Sequence, residues 1–145
     1  MDTKQYLGQI SRLDRMIKNK MTELAQYKEL AYGLSGVSNE ERVQASPSFD
    51  KMTGKVAKII EMEEKIDSLI DVYVDKKNMI ISQIDSIENE IYYQLLFARY
   101  IEKKTFEKIA DEMSYSWRQI IRLHGKALQE FEKMYGKTYR NKNVS

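Results

Sequence analysis

The chain contains no cysteine and a single histidine. Without cysteine there is no disulfide, no thiol nucleophile and no thiolate-bound zinc. One histidine excludes two-histidine metal sites and disfavours the usual nucleophile–base arrangements. A non-enzymatic protein with no cofactor and no metal is therefore expected. There is one proline and there are six glycines in 145 residues, so turn punctuation is scarce and long helices are expected. No run approaches the ~18 consecutive apolar residues of a membrane span. The opening residues Met1 to Leu7 lack the apolar core of a signal peptide. These absences predict a soluble, cytoplasmic protein with no membrane partner.

What is present is a mixed, charged composition. Hydrophobic residues make up 42% and charged residues 32%, and the mean hydropathy is −0.60. That is too apolar for wholesale disorder and too charged for a membrane protein. The net charge of +2 says little, but its distribution is uneven. Residues 1–100 carry 14 basic and 16 acidic side chains, net −2, whereas from Arg118 onward there are 7 basic and 2 acidic, net +5. A basic C-terminal end suits contact with a nucleic acid.

Apolar residues fall at Ile10, Leu13, Ile17, Leu24, Tyr27 and Ala31. This 3-4 spacing, broken only at Lys20, is the seam of a coiled-coil-like helix from about Thr3 to Tyr32. Residues 33–49, with Gly33, Gly36 and Pro47, read as a loop. A second stripe follows at Val56, Ile59, Ile66, Ile70, Tyr73, Ile80, Ile84, Ile87 and Ile91. No Pro or Gly lies between Lys55 and Arg122, so the second helix is expected to run unbroken for ~45 residues. An antiparallel hairpin of two unequal helices leaves part of the longer stripe uncovered. That part needs the C-terminal domain or a second subunit, so a homo-oligomer through the N-terminal helices is expected.

From residue 89 the character changes. Tyr92, Tyr93, Phe97, Tyr100 and Phe106 cluster, and helix signals become dense. Thr105 caps a short helix with Glu107 in its first turn, burying Phe106, Ile109, Ala110 and Met113. Ser116 and Gln119 form a capping box for a further helix that turns Ile120, Leu123, Ala127, Leu128 and Phe131 inward. Gly136 reads as its stop, and 137–145 as a disordered basic tail. Two helices joined by so short a turn describe a helix-turn-helix over 89–136. The motif's small residue at the crossing is Ala110, and its turn residue is Tyr115. Where the motif prefers glycine in a left-handed turn stands Ser114, a departure that adds ~1 kcal/mol of local strain.

The run LLFARYIEKKTFEKIADEMSYSWRQIIRLHGKAL, Leu95 to Leu128, resembles region 4 of bacterial primary sigma factors. The matching features are Arg99-Tyr100, Thr105 through Ile109-Ala110, Ser116 and Lys126-Ala127-Leu128. The whole chain, including Ser46 to Met52, is also similar to phage and prophage sigma-region-4-like regulators of Gram-positive bacteria, of the ArpU/RinA type. The resemblance implies recognition of double-stranded DNA at promoter-like sites, with contact to RNA polymerase. It departs from region 4 at Trp117 and Ile121, where charged residues are usual. Regions 2 and 3 have no counterpart, so a complete sigma factor is not implied.

On the last helix the inward set leaves Ser116, Trp117, Arg118, Ile121, Arg122 and Lys126 outward. Arg118 and Arg122, four apart, are candidates for guanine or phosphate contacts. Gln119 suits adenine but is contested by the capping box. Ile121 suits a thymine methyl, Trp117 sugar or methyl packing, and Thr105 and Ser116 cap their helices. The plainer alternatives are solvated charges for the arginines and protein contacts for Trp117 and Ile121. His124 reads as a helix-packing residue, and Gly125 as a close crossing of two helices. All-α architecture is thus expected: a long coiled-coil-like hairpin over 1–88, then the helix-turn-helix. The function expected is phage-type transcription regulation. The alternatives are a DNA-packaging component like a small terminase subunit, or a coiled-coil interaction adaptor that does not bind DNA.

Overall fold

The computed structural model describes residues 1–32 and 48–140. Among these the chain is helical, without a strand. The elements are α1 (Thr3–Leu7), α2 (Gln9–Tyr32), α3 (Ser48–Asp85), α4 (Glu90–Leu96), a π-helical turn (Phe97–Ile101), α5 (Phe106–Met113) and α6 (Trp117–Arg140). None of these helices is long and apolar enough to cross a membrane. The expected loop at 33–49 lies outside the described residues, except that residues 48 and 49 already belong to α3.

The capping residues explain where the helices begin. Asp2 accepts from the Gln5 amide at 2.7 Å while Gln5 accepts from the Asp2 amide at 2.9 Å. This reciprocal box satisfies two free donors at the start of α1. The single first helix expected from Thr3 is interrupted at Gly8, where glycine's poor helix propensity makes a break least costly. The second helix is also shorter than expected. It ends at Asp85, and α4 restarts at Glu90 after Asn89, whose side chain accepts from the amides of Ile91 and Tyr92. Neither Pro nor Gly marks this break; the asparagine cap makes it.

The chain divides into two compact units, one built from residues 1–13 and 73 onward, the other from residues 14–72. The boundary expected at residue 88 is therefore corrected. The first thirteen residues and the end of α3 join the C-terminal helices. The reason is packing: Tyr6, Leu7 and Ile10 share a core with Ile80, Ile84, Ile87, Leu96, Ala127, Phe131 and Tyr139. Tyr6 stacks on Tyr139 with ring centroids 4.3 Å apart, and the Thr3 hydroxyl meets the Tyr139 hydroxyl at 2.8 Å. The C-terminal end differs from expectation for the same reason. Gly136 does not stop α6, and residues 137–140 are helical. Tyr139 is only 3% exposed; burial of an aromatic ring there outweighs the weak local stop signal. The remaining tail residues, 141–145, lie outside the described residues.

In the second unit Ile17, Ala31, Ile59 and Ile66 of the expected stripes are buried, whereas Val56 and Ile70 of the same stripes are not. Lys28 and Glu63 form an exposed ion pair at 3.6 Å. Val56, Ile60 and Ile70 remain exposed. An open groove of 610 Å³ runs between Met16, Glu61, Lys65, Leu69 and Val72.

His124, read as a packing residue, is buried. Its Nε2 and the Tyr100 hydroxyl are 2.7 Å apart, and the Phe106 ring meets it edge-on at 4.8 Å. Burial, helped by the charges of Lys4 and Arg99, pulls its pKa down from 6.5 to about 4. Between these values the unfolded chain binds a proton that the folded state does not. Stability from this group is thus complete above the unfolded pKa and falls as pH drops, by ~2 kcal/mol between about pH 7 and 5. Urea midpoints over that range should show the slope, and His124→Gln should flatten it.

Candidate nucleic-acid interface

The local fold around α5 and α6 follows from a small cluster. Leu95, Ala98, Ile109, Ala110 and Ile120 are buried together, with Phe106, Met113, Tyr115 and Leu123 packed against them. These residues hold α4, α5 and α6 in one arrangement. The turn between α5 and α6 passes through Ser114 in the left-handed conformation, φ 60° and ψ 38°. The Tyr115 amide closes it on the Ala110 carbonyl at 2.9 Å. A serine in this conformation is strained and exposed. Ser114→Gly should therefore raise stability by up to about 1 kcal/mol, read as a higher urea midpoint, because no contact is lost.

Both expected caps are formed. The Thr105 hydroxyl accepts from the Lys108 amide at 3.2 Å. Ser116 accepts from the Gln119 amide at 3.1 Å, and Gln119 accepts from the Ser116 amide at 2.9 Å. Gln119 is thereby engaged within the helix start and is not poised toward a ligand. Thr105 caps α5, whereas the other candidates sit on α6. Lys104, at the entry to α5, reaches Glu112 at 2.8 Å and Glu102 at 3.3 Å. The hydrogen bond to Glu112 raises its pKa most. It ties the entry loop to α5. Arg99 is likewise occupied, over the Phe106 ring at 4.1 Å and donating to the Lys104 carbonyl at 3.0 Å.

The remaining candidates are exposed on the first turns of α6. Arg118, Arg122 and Lys126 follow one another at four-residue spacing on the side opposite Ile120 and Ala127. Trp117 and Ile121, 54% and 36% exposed, flank them as an apolar pair. The same basic face continues through Gln129 to Lys133, and Lys126, Gln129, Lys133 and the acidic Glu130 line a shallow depression of 280 Å³ beside Tyr92. The nearby acid Glu132 is paired with Arg140 at 2.8 Å. Sequence reasoning missed Gln129 and Lys133, although the three- and four-residue steps from Arg122 point to both. Gly125, expected at a close helix crossing, is not at one: a Cβ built on it would meet nothing within 4 Å. It lies on the exposed face, beside Arg122 and Lys126.

Chemically, the arrangement offers three exposed cations and two apolar side chains on one face of a helix. Such a surface suits a polyanion with apolar edges. No curated protein and no solved structure matches the chain. Residues 35–132 do match a family, and this chain belongs to it: the family described as a protein of unknown function (DUF1492).

Proposed function

We propose that this protein is a sequence-specific DNA-binding transcription regulator of phage type, with α5 and α6 acting as a helix-turn-helix. The recognition helix, residues 116–131, enters the major groove. Arg118 and Arg122 contact guanine edges or phosphates, Lys126 contacts phosphate, and Ile121 and Trp117 meet thymine methyls or sugar. One observation carries the reading: Arg118, Arg122 and Lys126 stand exposed in register on the first turns of α6, immediately after the left-handed turn at Ser114. The resemblance to sigma region 4 supports the same docking and adds RNA polymerase as a partner. The N-terminal helices form a coiled-coil-like antiparallel hairpin. The exposed Val56, Ile60 and Ile70 favour self-association through it, and a symmetric dimer would read two half-sites.

The test is selection from a random duplex library, with and without core RNA polymerase. A motif enriched by the protein alone supports an autonomous regulator, and its symmetry gives the oligomer. A motif enriched only with polymerase makes the protein a polymerase appendage. No enrichment in either arm at low salt overturns DNA recognition in favour of a protein adaptor. The exposed Trp117–Ile121 pair is the observation that favours that second reading. A small-terminase-like role would give a ring-sized oligomer in light scattering and a packaging-site motif.

A further inference from the structure

Gly125, like Gly54, is a helical glycine at which an added Cβ would meet nothing within 4 Å. It sits in the interior of α6 with ordinary helical backbone, because no glycine has a positive φ among the described residues. Glycine in a helix interior is unfavourable relative to alanine. At such a position it usually relieves a crowded crossing inside the protein, but here a Cβ would point into open space. Gly136 on the same helix shows the contrast: its Cβ would come within 2.9 Å of the Glu132 side chain. Nothing among the described residues accounts for the missing side chain at 125.

Its position suggests what lies outside. Gly125 shares the exposed face with Arg118, Ile121, Arg122 and Gln129. It is eight residues beyond Trp117, the first residue of α6, so about 12 Å along the axis. The major groove is about 8.5 Å deep. A helix with its first turn at the base edges therefore reaches the groove rim, where the sugar–phosphate strand passes, near residue 125. Arg122 and Lys126 stand on either side of that point.

Resting on the DNA-binding reading above, the geometry points to Gly125 as a positioning residue, the place where the bare backbone of α6 lies against the sugar–phosphate strand. The absent side chain lets the helix sink deep enough for Arg118 and Ile121 to reach base edges. Glycine serves close backbone approach to a ligand in this way. Fold stability and DNA affinity should then move in opposite directions on substitution.

The experiment compares Gly125→Ala, Gly125→Leu, Gly54→Ala and Arg118→Ala/Arg122→Ala in the full chain. Each is measured by thermal melting and by fluorescence anisotropy with a labelled random-sequence duplex. Gly54 is the control: it is also open and helical but lies near the start of α3, away from the basic face. Both alanine replacements of glycine should melt higher, by about 3 °C. Gly54→Ala should bind as the unaltered chain does. Gly125→Ala should bind about tenfold more weakly, and Gly125→Leu more weakly still, as expected for overpacking an interface. If the arginine pair loses binding while both Gly125 variants bind normally, the inference is overturned and the DNA reading stands. If Gly125→Ala melts lower, glycine is required by the fold and the inference is overturned as well. If the arginine pair binds normally, or the unaltered chain does not bind, the DNA reading fails and the inference with it.

Discussion

Arg118→Ala/Arg122→Ala is expected to remove most duplex binding while leaving the fold intact. Both side chains are exposed, and exposed substitutions of this kind usually change stability by less than about 0.5 kcal/mol. Their loss removes two of the three cations on the first turns of α6. Each specific arginine contact to a base edge is worth about 1–3 kcal/mol, so the pair should weaken binding at least ~30-fold. If the contacts are to phosphates, the slope of affinity against salt should instead flatten by about two units, uniformly across sequences. Anisotropy titrations at several salt concentrations distinguish these cases, and a circular dichroism melt confirms that the helices remain. Unchanged affinity would exclude this face as a DNA-reading surface. The exposed Trp117 and Ile121 would then be the better guide, and they point to a protein partner.

Ending the chain at Gly136 is expected to cost about 3–5 kcal/mol of stability relative to a chain ended at Arg140, the range for deleting a buried aromatic. Tyr139 stacks on Tyr6, and both rings lie near Phe131, at centroid distances of 6.0 and 6.4 Å. Removing it uncovers Tyr6 and leaves the buried Thr3 hydroxyl without the partner it now has at 2.8 Å. The Arg140–Glu132 ion pair contributes little, because it is solvent-accessible. Tyr139→Phe keeps the stack and loses only the hydrogen bond, so it should cost about 1 kcal/mol. Urea denaturation followed by far-ultraviolet circular dichroism ranks the three chains. Equal midpoints would show that the last turn of α6 adds nothing to the core.

Much of the local structure was legible in the sequence. The Thr105 and Ser116 caps, the left-handed turn at Ser114 and the inward set Ile109, Ala110, Ile120 and Leu123 all depend on residues within a few positions of one another. Such signals are physical at short range and survive in one dimension. The differences arose where distant residues decide. Gly136 looks like a stop until Tyr139 is seen to pack on Tyr6, 133 positions away. The break at residues 86–89 carries no Gly or Pro. It is made by the Asn89 cap and by Ser86, whose hydroxyl bonds to the Tyr135 hydroxyl of a remote helix. The boundary at residue 88 was misjudged because one isoleucine stripe serves two units: Ile59 and Ile66 are buried in one, Ile80 and Ile84 in the other. Periodicity tells which face of a helix is covered, not what covers it. The basic face of α6 was legible for the same short-range reason, but the openness around Gly125 became visible only with the neighbouring helices in place.

The pairing of Tyr6 with Tyr139 bears on how the protein is made. The unit that begins at residue 1 cannot close its core until residue 139 has left the ribosome. Throughout synthesis Tyr6, Leu7 and Ile10 lack Phe131 and Tyr139, whereas residues 14–72 can find their partners as soon as α3 emerges. Translation therefore presents the whole of the unit carrying the basic helix only after residues 14–72. An intermediate with α2 and the first part of α3 formed and Tyr6 still open to solvent is the species that chaperones or proteases would meet first.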